Sequence, residues 1–173
     1  MHSRRARADH GCQSHHSVPF AVSERRNMKI LAIDDNPDTL TVLKAVVSKG
    51  LPGAILLTAM DGPQRLELAQ AEDPDVILLD IDIPGLDGYA VCRKLKGDPR
   101  RQTIPVLFLT VLNTGRESRI EAMEAGAERF ISKLFDEVEM IAQIRAMAKI
   151  KAATFMQRNE NEMRVIVDRP GFR

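Results

Sequence analysis

Val76-Ile77-Leu78-Leu79-Asp80-Ile81-Asp82-Ile83-Pro84-Gly85-Leu86-Asp87-Gly88 opens with four apolar residues and breaks off in a carboxylate. Pro74 bounds the run on one side and Pro84-Gly85 on the other. A short apolar run between such turn formers reads as a strand buried on both faces. Asp80 then stands at the strand's C-terminal tip, the edge where open parallel sheets place their ligands.

Working outward, the same grammar repeats. Lys29–Ile33 is a short apolar strand ending in Asp34-Asp35. Asn36 offers a helix N-cap and Pro37 a pre-set first turn, and Leu40, Leu43, Val46 and Val47 give that helix a core-facing stripe. Gly50 to Gly53 stop it. Ala54–Ala59 reads as the second strand, followed by a helix that Asp61 can cap, with Pro63 in its first turn and Leu66 and Ala69 facing inward. After the opening strand, Asp87 caps a helix through Tyr89, Val91, Cys92 and Leu95. Val106–Thr110 is the fourth strand. A helix around Arg116–Ala125 is expected to bury Ile120 and Met123, with Gly126 at its C′ position. Glu128–Ser132 is the fifth strand and ends in Lys133. The last helix starts near Asp136, carries apolar residues on more than one side, and is expected to run to about Glu160; Val165-Ile166-Val167 reads as a strand-like or disordered end. Five strands alternating with five helices predict an α/β fold, a doubly wound five-stranded parallel sheet with an extended C-terminal helix.

Composition narrows the function. The chain has 173 residues and a formal net charge of +1, so no broad electrostatic footprint for nucleic acid or an anionic membrane is implied. Aromatic residues make up 4% and Trp is absent, which argues against base-stacking platforms. Cys12 and Cys92 sit in unrelated contexts without zinc spacing and read as free thiols of a reducing compartment. No apolar run approaches a membrane span, so a cytoplasmic location is expected. Residues 1–27 hold Arg4, Arg5, Arg7, Arg25, Arg26 and all four histidines with almost no apolar periodicity. They read as a disordered leader, with Met28 as an alternative start. Residues 28–150 form the domain, and 151–173 a helical extension or shortened linker and tail.

The predicted sheet brings Asp34, Asp35, Asp80, Thr110 and Lys133 to one edge. Each alone is ordinary: strand-terminal acids open turns, and a lysine at such an edge is usually solvated. Together they are hard to explain by turn chemistry. Carboxylates ~4 Å apart repel by about 4 kcal/mol per pair at an effective dielectric of ~20, so three of them need a cation. Hard oxygen donors suit magnesium. With its charge balanced by the metal and Lys133, Asp80 can act as a carboxylate nucleophile toward a phosphoryl donor.

Ile33-Asp34-Asp35, the stretch from Asp80 to Gly88, Ile104–Thr110, Ala125-Gly126-Ala127 and Lys133 together resemble the receiver domain of two-component response regulators, over about residues 28–150. The resemblance implies the flavodoxin-like strand order 2-1-3-4-5. It implies that Asp80 takes a phosphoryl group from a sensor histidine kinase or phosphotransfer protein. Magnesium would be held by Asp34, Asp35, Asp80 and the backbone carbonyl of Asp82, with Asp34 acting largely through water. Thr110 and Lys133 would contact the phosphoryl group, and Thr110 and Phe130 would form the switch pair. A homodimer through the fourth helix, fifth strand and fifth helix is expected, with Phe155 extending it as a short coiled coil. Such a chain is a signalling receiver, not an enzyme beyond its own phosphorylation and dephosphorylation.

Two positions depart from the family. Leu134 follows the lysine where Pro is usual, often with a cis peptide that aims the Lys. A non-proline cis bond costs ~2.5–4 kcal/mol, so this bond is expected to be strained or trans. If trans, Lys133 is expected to reach the site less well and transmission to the switch to weaken. Val111 follows the switch Thr where a smaller residue is common, and either narrows access to Asp80 or is a neutral packing variant. Two rival readings remain: a haloacid-dehalogenase-type phosphatase, whose nucleophile motif Asp80-Ile81-Asp82 resembles, and a scaffold that works without phosphorylation. Against the first, the acidic pair here lies upstream of the nucleophile.

Overall fold

A computed structural model of the chain describes residues 27–60, 67–69, 71–83, 85–111 and 115–167. Its sheet is built of β1 (Lys29–Ile33), β2 (Ile55–Ala59), β3 (Val76–Asp80), β6 (Val106–Thr110) and β7 (Arg129–Ser132). All neighbours are parallel, in the order β2-β1-β3-β6-β7. Omitting the two short strands between β3 and β6, this is the expected order 2-1-3-4-5. Those two, β4 (Asp82–Ile83) and β5 (Leu86–Asp87), pair antiparallel as a small hairpin that the sequence reading did not foresee. Two-residue strands have too little periodicity to be seen.

Alternation along each strand distributes the core. Ile77, Leu79, Val106 and Phe108 face one side of the sheet; Val76, Leu78, Leu107 and Leu109 face the other. The first side is covered by the helix Gly88–Gly97 through Tyr89, Val91, Cys92 and Leu95, and by Ala122 of the helix Arg116–Glu124. The second is covered by the helix Pro37–Gly50 and by the helix Glu137–Val167. β3 is buried at every position, as its unbroken apolar run requires. Each such aliphatic side chain is worth about 1.5–3 kcal/mol of transfer free energy.

The local signals at helix starts hold. Asn36 Oδ1 accepts from Asp38 N at 2.8 Å, and Asp87 Oδ1 accepts from Tyr89 N at 2.9 Å. Asp136 opens the last helix, its Oδ1 accepting from Glu139 N at 3.0 Å. Gly126 has φ +91°, the left-handed conformation that a C′ glycine supplies.

Three expectations are corrected. Ile120 and Met123 are not buried; they are 45% and 76% exposed, and Ala122 is the residue of that helix turned inward. A helix turns one face to the sheet, and here that face carries Ala122, with Ile120 and Met123 on other sides. The last helix does not fade near Glu160. It runs 31 residues to Val167, so Val165–Val167 are helical rather than strand-like. Val138, Ile141, Ala142 and Ala148 read as one apolar stripe and Met140, Ile144, Met147 and Ile150 as another, but burial cuts across both: Met140, Ile141, Ile144 and Met147 are buried while Val138 and Ile150 are exposed. Ala69 is buried as expected. Asp61, Pro63 and Leu66, the leader through residue 26 and the tail from residue 168 lie outside the described residues. No described helix is long and apolar enough to cross a membrane.

Candidate functional site

Parallel strands put their C-terminal tips on one edge, and the register fixes what meets there. Ile33 pairs with Leu79 and Asp80 with Leu109, so Asp34 and Asp35 follow β1 next to the tip of β3. Thr110 pairs with Ser132, and Lys133 N donates to Thr110 O at 2.6 Å, which carries the lysine one residue past β7 onto the same edge. Asp34, Asp35 and Asp80 each present a carboxylate oxygen, all within 4.8 Å of one another.

Burial sets the electrostatics. Asp34 and Asp80 are 0% and 1% exposed, and Thr110 is 2% exposed, whereas Asp35 is more open to solvent. Lys133 Nζ donates to Asp80 Oδ2 at 2.8 Å and lies 3.0 Å from Asp34 Oδ2. The second contact is an ion contact rather than an aligned hydrogen bond, so the buried Asp34 Oδ2 lacks a hydrogen-bond partner of its own. Asp34 Oδ1 is satisfied by the Asn36 amide at 2.8 Å, and Asp80 Oδ1 by the Asp82 amide at 3.3 Å. Burial pushes the Asp34 carboxyl above the usual carboxylate range, against the pull of the Asn36 amide and Lys133; the Asp80 charge adds to the rise. Burial pulls Lys133 down, but its close contacts with the Asp80 and Asp34 carboxylates and their charges outweigh it and leave it raised and charged.

The peptide bond after Lys133 is not cis, as none is among the described residues. The expectation that a trans bond weakens the reach of Lys133 is therefore overturned: the long stem spans the gap and the ammonium touches both carboxylates. Leu134 itself points to solvent, 76% exposed. Val111 is 60% exposed at the rim. The Thr110 hydroxyl donates to its neighbour's carbonyl, Val111 O, at 3.2 Å. Phe130 on β7 is half-buried and packs against the first core cluster.

This donor set fits a hard divalent cation. Three carboxylates converge, and one buried carboxylate oxygen has no hydrogen-bond partner among the described residues.

Sequence reasoning missed two supporting residues. A Cβ at Gly88 would stand 2.5 Å from the carbonyl oxygen of Asp80 and 2.9 Å from Ile81 Cα. A glycine just inside a helix start, with no turn to serve, was the available signal. A tyrosine on an amphipathic helix is expected to pack, and the Tyr89 ring does meet Phe108 edge-on at 5.3 Å, but its hydroxyl also donates to Ser118 O at 3.2 Å.

A family model described as the response regulator receiver domain matches residues 30–145. The chain belongs to the response regulator receiver domain family. Curated relatives agree. It is 42% identical over 123 residues to the response regulator PleD of Caulobacter vibrioides, covering 71% of this chain and 26% of that protein. It is 31% identical over 145 residues to PhoP of Bacillus subtilis, an alkaline phosphatase synthesis transcriptional regulatory protein, covering 82% and 58%. It thus spans from about a quarter to somewhat over half the length of these relatives. Among solved structures, the receiver domain of a signal transduction histidine kinase from Syntrophus aciditrophicus superposes with a TM-score of 0.63 at 30% identity, covering 70% of this chain and 90% of that one. The chain is therefore a receiver of phosphorylation-dependent signalling, and the dehalogenase-type reading finds no support. Receiver domains bind magnesium through acidic residues and work with histidine kinases or phosphotransfer proteins.

Proposed function

We propose that Asp80 is the phosphoryl acceptor of this receiver. The observation that carries the reading is the triangle of Lys133 with Asp80 and Asp34, at 2.8 and 3.0 Å, beside Asp35 on one sheet edge. An Asp80 oxygen attacks phosphorus; the new O–P bond forms as the P–N bond of a phosphohistidine breaks and the imidazole leaves. Asp34, Asp35, Asp80 and the backbone carbonyl of Asp82 would hold magnesium, which would supply positive charge against the phosphoryl group. Lys133 already faces the acceptor oxygen and pairs with the phosphoryl group once it is in place. Thr110 turns its hydroxyl from Val111 O to a phosphoryl oxygen, and Phe130 follows as the second member of the switch. Phosphorylation thereby shifts the population toward one surface.

That surface is the face of the helix Arg116–Glu124, β7 and the last helix, where Ile120, Met123, Ile150 and Phe155 are exposed and a second copy can pair. Residues 28–150 act as the receiver, and 151–167 as a helical extension or the start of a linker. The chain works in the cytoplasm with a sensor histidine kinase or phosphotransfer protein and turns over no substrate besides its own acyl phosphate. The test is incubation with a small-molecule phosphodonor and magnesium, followed by assay of hydroxylamine-labile phosphate. Wild type should take up one equivalent and Asp80→Asn none; equal labelling of the two would remove the assignment.

A further inference from the structure

Tyr89 sits where three parts of the receiver meet. Its neighbour Gly88 is pressed against the backbone of Asp80 and Ile81, and Gly88 N donates to Ile81 O at 3.4 Å. Tyr89 is 8% exposed, and its ring meets Phe108 at 5.3 Å and 66°. Phe108 precedes Thr110 by two residues on β6, so the two side chains share a face of that strand. The Tyr89 hydroxyl reaches past the strand to Ser118 O, in the first turn of the helix Arg116–Glu124.

Among the described residues that helix has few other holds. Its N-cap, Gly115, makes no side-chain capping bond, and Ala122 is its buried residue. The Arg93–Glu121 contact, 3.9 Å between half-exposed side chains, adds little. Tyr89 therefore joins the strand before Thr110 to the helix after it, and spans both ends of the segment 111–115.

We propose that Tyr89 is a positioning residue whose hydroxyl latches the first turn of the Arg116–Glu124 helix in the resting receiver and so restrains movement of the Thr110 segment toward Asp80. The latch stands on the geometry alone; its coupling to Thr110 rests on the function proposed above. Tyr89→Phe is the probe, since it keeps the ring on Phe108 and removes only the donor.

Hydrogen exchange is measured first on the full chain without magnesium or phosphodonor. Peptides covering 116–124 should exchange about two- to tenfold faster in Tyr89→Phe, the factor expected for one net hydrogen bond. Unchanged exchange there overturns the latch. So does an equal acceleration in peptides of the last helix, which would mean general loosening. Beryllofluoride with magnesium is then titrated and followed by fluorine NMR. Releasing a restraint on the resting state should tighten beryllofluoride binding by a similar factor, about two- to tenfold. Equal or weaker binding by the variant overturns the coupling. A wild-type protein with no bound fluorine signal would instead overturn the Asp80 reading, and the exchange arm, done without ligand, still decides the latch.

Discussion

The carbonyl oxygen of Asp80 lies 2.5 Å from where a Cβ at Gly88 would stand, so residue 88 has no room for any side chain. The obstacle is backbone on both sides, Asp80 O and Ile81 Cα, and backbone cannot rotate away as a side chain can. Gly88→Ala should therefore cost about 1–3 kcal/mol through overpacking and displace the Asp80 peptide. Gly97, at the end of the same helix, meets nothing within 4 Å, and Gly97→Ala should be neutral or stabilise by up to about 1 kcal/mol through helix propensity. Urea unfolding of both variants checks the contrast. Similar changes of the same sign would mean that the close approach at Gly88 has no energetic consequence.

Lys133 balances two buried carboxylates, and without it Asp34 and Asp80 face each other uncompensated. Lys133→Met should destabilise the protein in chelator, by less than the ~3–5 kcal/mol of a fully buried pair because the lysine side chain keeps 18% of its exposure. Magnesium should restore more stability to the variant than to wild type, since it then supplies the counter-charge that Lys133 gave. Thermal unfolding with chelator and with magnesium reads both effects. A variant that gains no more from magnesium than wild type does would contradict this account.

Asp34 gives the site a pH dependence with a definite sign. Its folded-state pKa is raised, chiefly by burial, so the folded protein holds this proton more tightly than the unfolded chain. Its stabilising contribution is present below the unfolded pKa and is lost as pH rises through the folded pKa. Asp34→Asn keeps an acceptor for the Asn36 amide and removes the charge. It should raise the melting temperature of metal-free protein at about pH 7, and the advantage should shrink toward about pH 4. An advantage that grows on acidification would show the opposite linkage.

Most of the fold and the site's members could be read from the chain because each rests on local chemistry. The unbroken run Val76–Leu79 fixed a strand buried on both faces, and Asn36, Asp87 and Gly126 marked helix ends where the structure has them. The errors fall where tertiary packing decides. Ile120 and Met123 satisfy a helical period but stay exposed, because which face of a short helix meets the sheet is set by its approach. The reach of Lys133 past a trans Leu134 depends on the length of a flexible side chain, which no local rule fixes. The Tyr89–Ser118 bond joins residues 29 positions apart, and no pattern in the sequence encodes it.

Cys92 is fully buried, and burial pushes its thiol up to about 11. The thiolate is the reactive form, so Cys92 should resist iodoacetamide at about pH 8 until the protein unfolds. Its proton is bound more tightly in the folded state, so its contribution to stability is kept below the ordinary thiol range and lost as pH rises toward 11. Peptide mapping of alkylated protein, native and in denaturant, measures the first effect at this residue specifically. Rapid native alkylation of Cys92 would show that the helix Gly88–Gly97 opens readily.

Lys151 is buried on the long helix, and its ammonium is held by protein oxygens. It donates to Asp73 Oδ1 and Pro74 O, both at 2.7 Å, and to Asp73 O at 3.2 Å. All three partners lie in the turn that leads into β3, the strand that ends at Asp80. Asp73 holds a left-handed φ of +45°, a conformation uncommon outside glycine that aspartate adopts more readily than most residues. Lys151 therefore fixes where the helix leaves the domain and ties that point to the start of the acceptor's strand. Lys151→Met keeps an apolar stem in place and strips the donors, leaving the buried Pro74 carbonyl unpaired at a cost of about 1–3 kcal/mol. Hydrogen exchange should rise in peptides covering 148–160 and at 73–76, while 137–144, packed on the sheet through Met140, Ile141 and Ile144, stays protected. Lys151→Arg should recover only part of that protection, because a planar guanidinium cannot reproduce three bonds converging on one small ammonium. Equal protection in Lys151→Met and wild type would mean that apolar packing alone sets the exit of the helix.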